Sequence, residues 1–207
     1  MPSLHCPVWA ASTSAATPTY ASARGWRNGW GCCADPHRHR ISWRTKPASA
    51  SPWTWRAGKT GFYLDQRNAR SAVAAWAGGR RVLNVFGYTG AFSVIAAARG
   101  AAAVTTIDSS GPALAIAARN GSLNGVDVGE LAEADAFTAL RGLRDRARQF
   151  DLILLDPPKL ASTEAQVDKA SRAYKDLNLL AVKLLAPGGV LMTWSCSGAM
   201  PMELFQK

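Results

Sequence analysis

The sequence has no long hydrophobic run. No apolar stretch among its 207 residues approaches the roughly 18 residues of a membrane-spanning helix. Residues 1–10 have no basic stretch followed by an apolar one, so we expect no secretory signal and a cytoplasmic protein. Acidic residues are scarce, because 14 Asp and Glu stand against 24 Lys and Arg, a net charge of +10. This excess of positive charge favours an anionic partner such as nucleic acid.

Aliphatic side chains are nearly absent from residues 1–57. This segment contains one Leu, one Val, one Ile and no Phe, although it holds six of the eight Trp, three of the four Cys and all three His. It shows neither helical nor strand periodicity. We therefore expect a mostly irregular segment that buries little aliphatic surface.

Three interpretations of residues 1–57 stay open: a solvated basic tail, a zinc site, or a GC-rich gene translated in the wrong frame. Zinc is the weakest, because adjacent cysteines chelate poorly and no regular two-Cys, two-His spacing occurs. We therefore expect no metal. The abundance of Trp, Arg, Ala, Ser and Pro beside rare aliphatics favours the wrong frame. The candidate zinc ligands are Cys6, Cys32, Cys33, His37 and His39.

From residue 58 onward, short apolar runs alternate with helical stretches. Glycines, prolines or acidic residues bound the runs, which is typical of buried strands. This alternation predicts an α/β fold of the Rossmann-like class, a parallel sheet covered by helices on both faces. The predicted helices span 65–77, 91–99, 112–123, 137–149 and 165–185. The predicted strands span 81–86, 103–107, 131–134, 151–155 and 190–194.

The first predicted strand leads into a glycine turn, Gly87-Tyr88-Thr89-Gly90. Ligands of parallel α/β sheets bind at the carboxyl ends of the strands, where this turn lies. It has neither the three-glycine spacing of a dinucleotide site nor the Gly-Lys-Ser/Thr of a P-loop. Asp108, at the end of the second strand, can accept hydrogen bonds from both hydroxyls of a ribose. A lone acid there is about as often a helix cap, but the adjacent turn favours a nucleoside without a pyrophosphate, S-adenosylmethionine.

Five segments of the chain resemble one protein family. In order, they are KTGFYLDQR at 59–67, NVFGYTGAF at 84–92, DPPK at 156–159, YKDLN at 174–178 and SCSG at 195–198. Together they resemble the bacterial class I S-adenosylmethionine-dependent methyltransferases that make 5-methylcytosine in large-subunit ribosomal RNA. The resemblance covers about 58–207, and five collinear motifs make it specific.

The resemblance implies roles for individual residues. Asp108 would hold the ribose of the cofactor and Asp135 would face its adenine. Cys196 would be the nucleophile, beside Asp156, which would also contact the cofactor. The methionine end of the cofactor would lie against Phe86, Tyr88, Thr89 and Gly90. The segment folding over the cofactor would contribute Lys59, Tyr63 and Gln66. The substrate base would be held by Pro157, Pro158 and Lys159.

Methylation at carbon 5 of cytosine explains why this family needs a cysteine. Carbon 5 is a poor nucleophile within the aromatic ring. A thiolate that adds to carbon 6 gives carbon 5 enamine character, so that it takes the methyl group, and a base then removes the carbon-5 proton as the thiolate leaves. A protonated Asp156 would stabilise the ring nitrogen next to the exocyclic amine, against a rigid Pro-Pro turn. A lone cysteine is more often an inert buried thiol, but Cys196 follows a strand inside a family motif.

The chain departs from the family pattern at both ends. Residues 1–57 resemble neither the small RNA-binding domain nor the β-rich linking region that the family carries. Class I methyltransferases have seven strands, whereas five are predicted here, and 190–194 would be left as an exposed sheet edge. We therefore expect an irregular segment at 1–57 and an incomplete methyltransferase domain at 58–207. Such a chain would be a fragment or a partly mis-framed product with little activity.

Two other functions stay open. A methyltransferase acting on guanine or adenine nitrogens also carries an Asp-Pro-Pro motif but needs no nucleophile. A non-catalytic remnant would bind RNA or cofactor only. Basic side chains recur on the predicted helix 137–149, and such a cluster is more often a solvated face than an RNA contact; they are Arg141, Arg144, Arg146 and Arg148. The expected partner is large-subunit ribosomal RNA, with no membrane.

Overall fold

The apolar runs of the sequence form the parallel strands of one sheet. A computed structural model describes residues 66–205 and, for residues 9–12, the backbone. The strands are β1 (Trp9–Ser12), β2 (Arg81–Val85), β3 (Ala103–Asp108), β4 (Glu130–Glu133), β5 (Phe150–Leu155) and β6 (Leu185–Thr193). They lie in the order β1-β6-β5-β2-β3-β4. Strands β2 to β6 run parallel, and β1 pairs antiparallel with β6.

The α-helices are α1 (Arg67–Trp76), α2 (Ala91–Ala98), α3 (Gly111–Leu123), α4 (Ala136–Asp145), α5 (Val167–Leu184) and α6 (Met202–Phe205). Helices α2 to α5 connect successive parallel strands, α1 precedes β2 and α6 follows β6. Side chains cap two of the helix starts. Ser110 accepts a hydrogen bond from the Ala113 N–H at 3.3 Å, and Asp135 accepts one from the Thr138 N–H at 2.9 Å. Within the described ranges, no helix is both long and apolar enough to cross a membrane.

Each face of the sheet packs against its own hydrophobic core. Successive strand side chains point to opposite faces, so the neighbours Val82 and Leu83 lie in different cores. Val82 packs with residues of α1 and α2, among them Phe92. Leu83 packs with α4 and α5, through residues such as Leu140 and Leu184. Because both faces are covered, the central strand β5 is buried continuously from Leu152 to Leu155 instead of alternating.

The edge strand β1 corrects one expectation. Residues 190–194 were expected to form an exposed edge, but Trp9–Ser12 pairs with this part of β6, from Trp9 opposite Thr193 to Ser12 opposite Val190. The same pairing places four residues of the segment 1–57 in a strand, and the expectation that this segment is mostly irregular stays a prediction. Pairing uses backbone N–H and C=O groups, which need no aliphatic periodicity, so the composition of 1–57 did not exclude it.

Most element boundaries differ from the predictions by one or two residues, and two differ by more. Strand β6 begins at Leu185 and includes Pro187-Gly188-Gly189, which was expected to separate helix from strand. These additional residues of β6 are accommodated by a register shift against β5, since Phe150 pairs with Leu185 but Leu152 pairs with Val190.

Helix α4 ends earlier than the predicted helix 137–149. It stops at Asp145, and Ala147 adopts a left-handed φ of 52°. Arg146 and Arg148 therefore lie beyond the helix, so the four arginines do not form one helical face. Arg144 pairs with Asp145 at 2.8 Å, and Arg148 lies 4.0 Å from Glu130.

The sheet order creates a crevice at its carboxyl edge. From β2 the chain builds outward through β3 and β4, then returns to place β5 and β6 on the other side of β2. The loops that leave β2 and β5 therefore diverge, and ligands of parallel α/β sheets bind at such a switch point.

Candidate functional site

The turn between β2 and α2 has an unusual backbone. Phe86, Tyr88 and Gly90 adopt positive φ angles of 63°, 47° and 77°. A left-handed conformation is uncommon for residues other than glycine, and such strain is concentrated at functional sites. The turn is closed by a hydrogen bond from the Gly90 N–H to the Gly87 carbonyl at 2.8 Å. The turn lies at the carboxyl end of β2, beside the crevice that the sheet order creates.

Space requires glycine at two positions of this turn, and at Gly90 the positive φ requires it as well. A Cβ on Gly87 would collide with the Thr106 methyl group, and one on Gly90 would lie 2.6 Å from the Cβ of Ala117. Helix α3 thus packs directly against the turn. From that helix, the buried Asn120 side chain donates a hydrogen bond to the Thr89 carbonyl at 2.9 Å.

A buried polar network supports the turn from below. The Asn84 amide of β2 donates to the Ser93 hydroxyl of α2 at 2.8 Å, and Ser93 lies 2.7 Å from the Thr106 hydroxyl of β3. All three side chains are buried. Hydrogen-bonded groups in a core fix the elements that carry them, so the network sets α2 against both strands. Asn84 lies within the NVFGYTGAF motif, but its hydrogen bond to Ser93 was not predicted from the sequence.

Asp108 joins the end of β3 to this turn. One carboxylate oxygen accepts a hydrogen bond from the Tyr88 N–H at 2.8 Å, and the other accepts one from the Ser110 N–H at 2.9 Å. Each carboxylate oxygen can accept a second hydrogen bond, so Asp108 keeps capacity for ribose hydroxyls.

Asp135 lies at the same edge, two residues after β4. It is exposed and is the N-cap of α4, with one carboxylate oxygen 2.9 Å from both the N–H and the hydroxyl oxygen of Thr138. These hydrogen bonds hold the pKa of Asp135 below its usual value. Asp135 thus caps α4, a function that was not predicted from the sequence. Its second carboxylate oxygen takes no part in the two bonds to Thr138.

The loop after β5 is connected to the start of α1. Gln66 donates a hydrogen bond from its amide to the Asp156 carboxylate at 3.2 Å. The Gln66 side-chain carbonyl is buried and has no hydrogen-bond partner among the residues that the structure describes. The structure therefore brings together two of the predicted site residues. The other two predicted residues of that segment, Lys59 and Tyr63, lie outside the described residues, as do all five candidate zinc ligands.

Cys196 follows β6 and faces the loop after β5. These strands are neighbours, with Leu155 opposite Thr193. Cys196 is exposed, and its thiol lies 3.7 Å from the Pro157 carbonyl, to which it donates. The predicted nucleophile and the Asp-Pro-Pro-Lys segment therefore meet. Pro157 is buried, whereas Pro158 and Lys159 are exposed.

The two serines that flank Cys196 point inward, toward Tyr174 on α5. The Ser195 hydroxyl donates to the Tyr174 oxygen at 2.9 Å, and the Ser197 hydroxyl lies 3.0 Å from the same oxygen. Ser197 also accepts hydrogen bonds from the N–H groups of Leu160 and Ala161, both at 3.0 Å. This hydroxyl cluster joins α5 to the loops after β5 and β6. Tyr174 lies within the YKDLN motif, but its contacts with Ser195 and Ser197 were not predicted from the sequence.

The comparisons with known proteins place the chain in a class of methyltransferases. A sequence model of the S-adenosylmethionine-dependent methyltransferases matches residues 53–205, and the chain belongs to this family. The crystal structure of SMU.776 complexed with SAH is similar, with a TM-score of 0.65 and 29% identity over 72% of this chain and 40% of that one. The S-adenosylmethionine-dependent methyltransferase from Agrobacterium tumefaciens has a TM-score of 0.55 and 29% identity over 66% of this chain and 46% of that one.

Curated relatives are identical to this chain at about half of the matched positions. Over 151 residues, or 72% of this chain, it is 51% identical to ribosomal RNA large subunit methyltransferase I of Aeromonas salmonicida and 53% identical to that of Aeromonas hydrophila. The corresponding protein of Yersinia pseudotuberculosis is 50% identical. The chain spans 38% of the length of each of these relatives. The expected fold class, family and cofactor, S-adenosylmethionine, are confirmed by these matches.

Proposed function

We propose that this chain carries the catalytic site of an RNA methyltransferase that methylates carbon 5 of a cytosine in large-subunit ribosomal RNA. The placement of Cys196 is the observation that carries the proposal. Its thiol is exposed at the ligand edge of the sheet and lies against the Pro157 carbonyl. The names of the relatives support ribosomal RNA as the substrate. We infer a cytoplasmic location from that substrate.

The residues at the carboxyl edge fit S-adenosylmethionine. When bound, this cofactor supplies an electrophilic methyl group on a sulfonium. Asp108 would accept hydrogen bonds from the ribose, and Asp135 would face the adenine. The buried Gln66 carbonyl has no partner within the described ranges, which suits a ligand donor. The methionine end would lie against the strained turn, Phe86, Tyr88, Thr89 and Gly90.

Cys196 would act by covalent catalysis. Its thiolate adds to carbon 6 of cytosine, and the displaced π electrons make carbon 5 nucleophilic. After carbon 5 has taken the methyl group, a base removes the carbon-5 proton, and the electrons of that bond restore the ring double bond as the bond from sulfur to carbon 6 breaks. The thiolate is thereby regenerated. A nitrogen acceptor already has a lone pair and would need no such step.

The loop after β5 would hold the flipped base. Pro157 and Pro158 restrict the backbone, which gives the base a rigid surface. Asp156 would contact the ring nitrogen next to the exocyclic amine, as a donor when its carboxyl group is protonated. Lys159 is exposed at the same edge, where its charge would pair with a phosphate of the RNA.

The proposal is tested with Cys196→Ala. We expect the variant to lose methyl transfer to a transcript of large-subunit ribosomal RNA and to bind S-adenosylmethionine as the unchanged chain does. Incorporation of a labelled methyl group and titration calorimetry measure the two properties. Cys32→Ala, which removes a different thiol, is the control and should retain both. Methyl transfer that survives Cys196→Ala would contradict the carbon-5 mechanism and favour a nitrogen acceptor.

A further inference from the structure

The segment Ser195-Cys196-Ser197 alternates in direction. Both serine hydroxyls contact Tyr174, whereas Cys196 is exposed between them. Neighbouring side chains of this segment therefore lie on opposite sides of the backbone. Fixing the two serines on the inside therefore fixes the thiol on the outside.

The hydrogen bonds of Ser197 assign the donor in its contact with Tyr174. The Ser197 oxygen has two lone pairs, and the N–H groups of Leu160 and Ala161 occupy both. Its proton is therefore donated to the Tyr174 oxygen, 3.0 Å away. Ser195 donates to that same oxygen, so one phenolic group accepts from both sides of Cys196.

The Tyr174 ring is itself held firmly. The residue is 4% exposed and packs edge-on against Phe205, with ring centroids 5.2 Å apart. Ala161 and Ala170 belong to the same buried cluster. Helix α5 thus presents a fixed acceptor to two loops that the chain places far apart in sequence.

We propose that Tyr174 is a positioning residue for Cys196, acting through the hydroxyls of Ser195 and Ser197. It holds the loop after β6 against the backbone at Leu160 and Ala161, so that the thiol stays against the loop that would hold the base. The inference deepens the proposed function, because it takes Cys196 to be the nucleophile. No direct contact between Tyr174 and the substrate is required.

Amide hydrogen exchange of the full chain tests the positioning without any need for turnover. Tyr174→Phe keeps the ring and removes the acceptor. We expect the amides of Leu160 and Ala161 to exchange about fivefold faster or more, the effect of losing one hydrogen bond. Ser197→Ala removes their acceptor outright and should accelerate both further. Ser171→Ala removes a hydroxyl from the same helix outside the cluster and should change neither.

Kinetics of the same variants separate positioning from a general loss of structure. With a large-subunit ribosomal RNA transcript, we expect Tyr174→Phe to lower kcat roughly 10- to 100-fold, as small misplacements of a reacting group do. The KM values for RNA and cofactor should stay unchanged. Adding Ser195→Ala to Tyr174→Phe should cost little more, because both act through one cluster.

Unchanged exchange at Leu160 and Ala161 in Tyr174→Phe would overturn the inference, even if Ser197→Ala accelerated it. A fall in kcat matched by an equal loss of cofactor affinity would overturn it too, since it would show a structural role alone. Activity that survives Cys196→Ala would instead refute the proposed function, and the exchange result would still decide whether Tyr174 holds the loops.

Discussion

Asp108 fixes the backbone at the proposed cofactor site. It accepts hydrogen bonds from the backbone of Tyr88 and Ser110, and so fixes the turn after β2 relative to the end of β3. The strained φ angles of Phe86 and Tyr88 persist because such bonds hold the turn in place.

Removal of the Asp108 carboxylate should therefore weaken cofactor binding. We expect Asp108→Ala to lose about 1.5–3 kcal/mol of S-adenosylmethionine affinity, the range for hydrogen bonds to a charged group. Titration calorimetry measures the change. Asp127→Ala is the matched control, since Asp127 also accepts from a nearby backbone N–H, that of Gly129 at 2.9 Å, but at the opposite edge of the sheet. Equal affinity of Asp108→Ala and the unchanged chain would exclude the ribose role.

Candidate site residues could be named from the sequence where they lie at or just after the carboxyl end of a strand. Asp108 ends β3, Asp156 directly follows β5 and Cys196 lies three residues after β6. Parallel strands bring these ends to one edge of the sheet. Tyr174 could be quoted from the YKDLN motif but not given a role, because its partner Ser197 is 23 positions away. No local pattern signals a contact across that separation.

At the scale of elements, the alternation of short apolar runs with helical stretches predicted every parallel strand and the helices between them. Errors arose where backbone conformation outweighs side-chain pattern. The Pro187-Gly188-Gly189 stretch remains within β6 because a register shift absorbs it. Helix α4 ends at Asp145 although the helical composition continues beyond it.

A substitution at Asp135, the N-cap of α4, can separate a capping role from a role in cofactor binding. Serine is as good an N-cap as aspartate but carries no charge. We expect Asp135→Ser to leave the free energy of unfolding nearly unchanged and to weaken S-adenosylmethionine binding by about 1 kcal/mol, the net value of one hydrogen bond. Asp135→Ala should lose about 1 kcal/mol of stability as well. If Asp135→Ser binds the cofactor with full affinity, Asp135 is a cap and nothing more.

The amino ends of β2 and β5 are joined by an ion pair that predicts a pH dependence. Arg81 donates to the Asp151 carboxylate at 2.8 Å and lowers the pKa of Asp151 to about 2. A folded-state pKa below the unfolded value of about 3.9 stabilises the fold above that value and stops doing so as the pH falls through about 2.

Asp151→Asn provides the measurement. We expect the unchanged chain to be more stable than this variant above about pH 4, with a difference that shrinks steadily toward pH 2. Urea unfolding at several pH values follows that difference. A difference that stays constant over the whole range would show that the pair contributes no titrating stabilisation.

For the whole molecule, the strand order could not be read from the sequence pattern alone. Alternation predicts a covered parallel sheet, but the position of β5 beside β2 depends on packing between residues far apart in the chain. The β1 pairing was missed because a segment poor in aliphatic residues gave no strand signal. The division between 1–57 and 58–207 stays a prediction, since residues 13–65 lie outside the described residues.

The central claim is that Cys196 attacks carbon 6 of a cytosine in RNA. A large-subunit ribosomal RNA transcript that contains 5-fluorocytosine tests it most directly, because fluorine cannot leave as a proton does and the covalent intermediate persists. We predict that incubation with S-adenosylmethionine yields a stable protein–RNA adduct, mapped to Cys196 by mass spectrometry and absent in Cys196→Ala. An adduct at another residue, or methylation of the unmodified transcript without any adduct on the fluorinated one, would contradict the account.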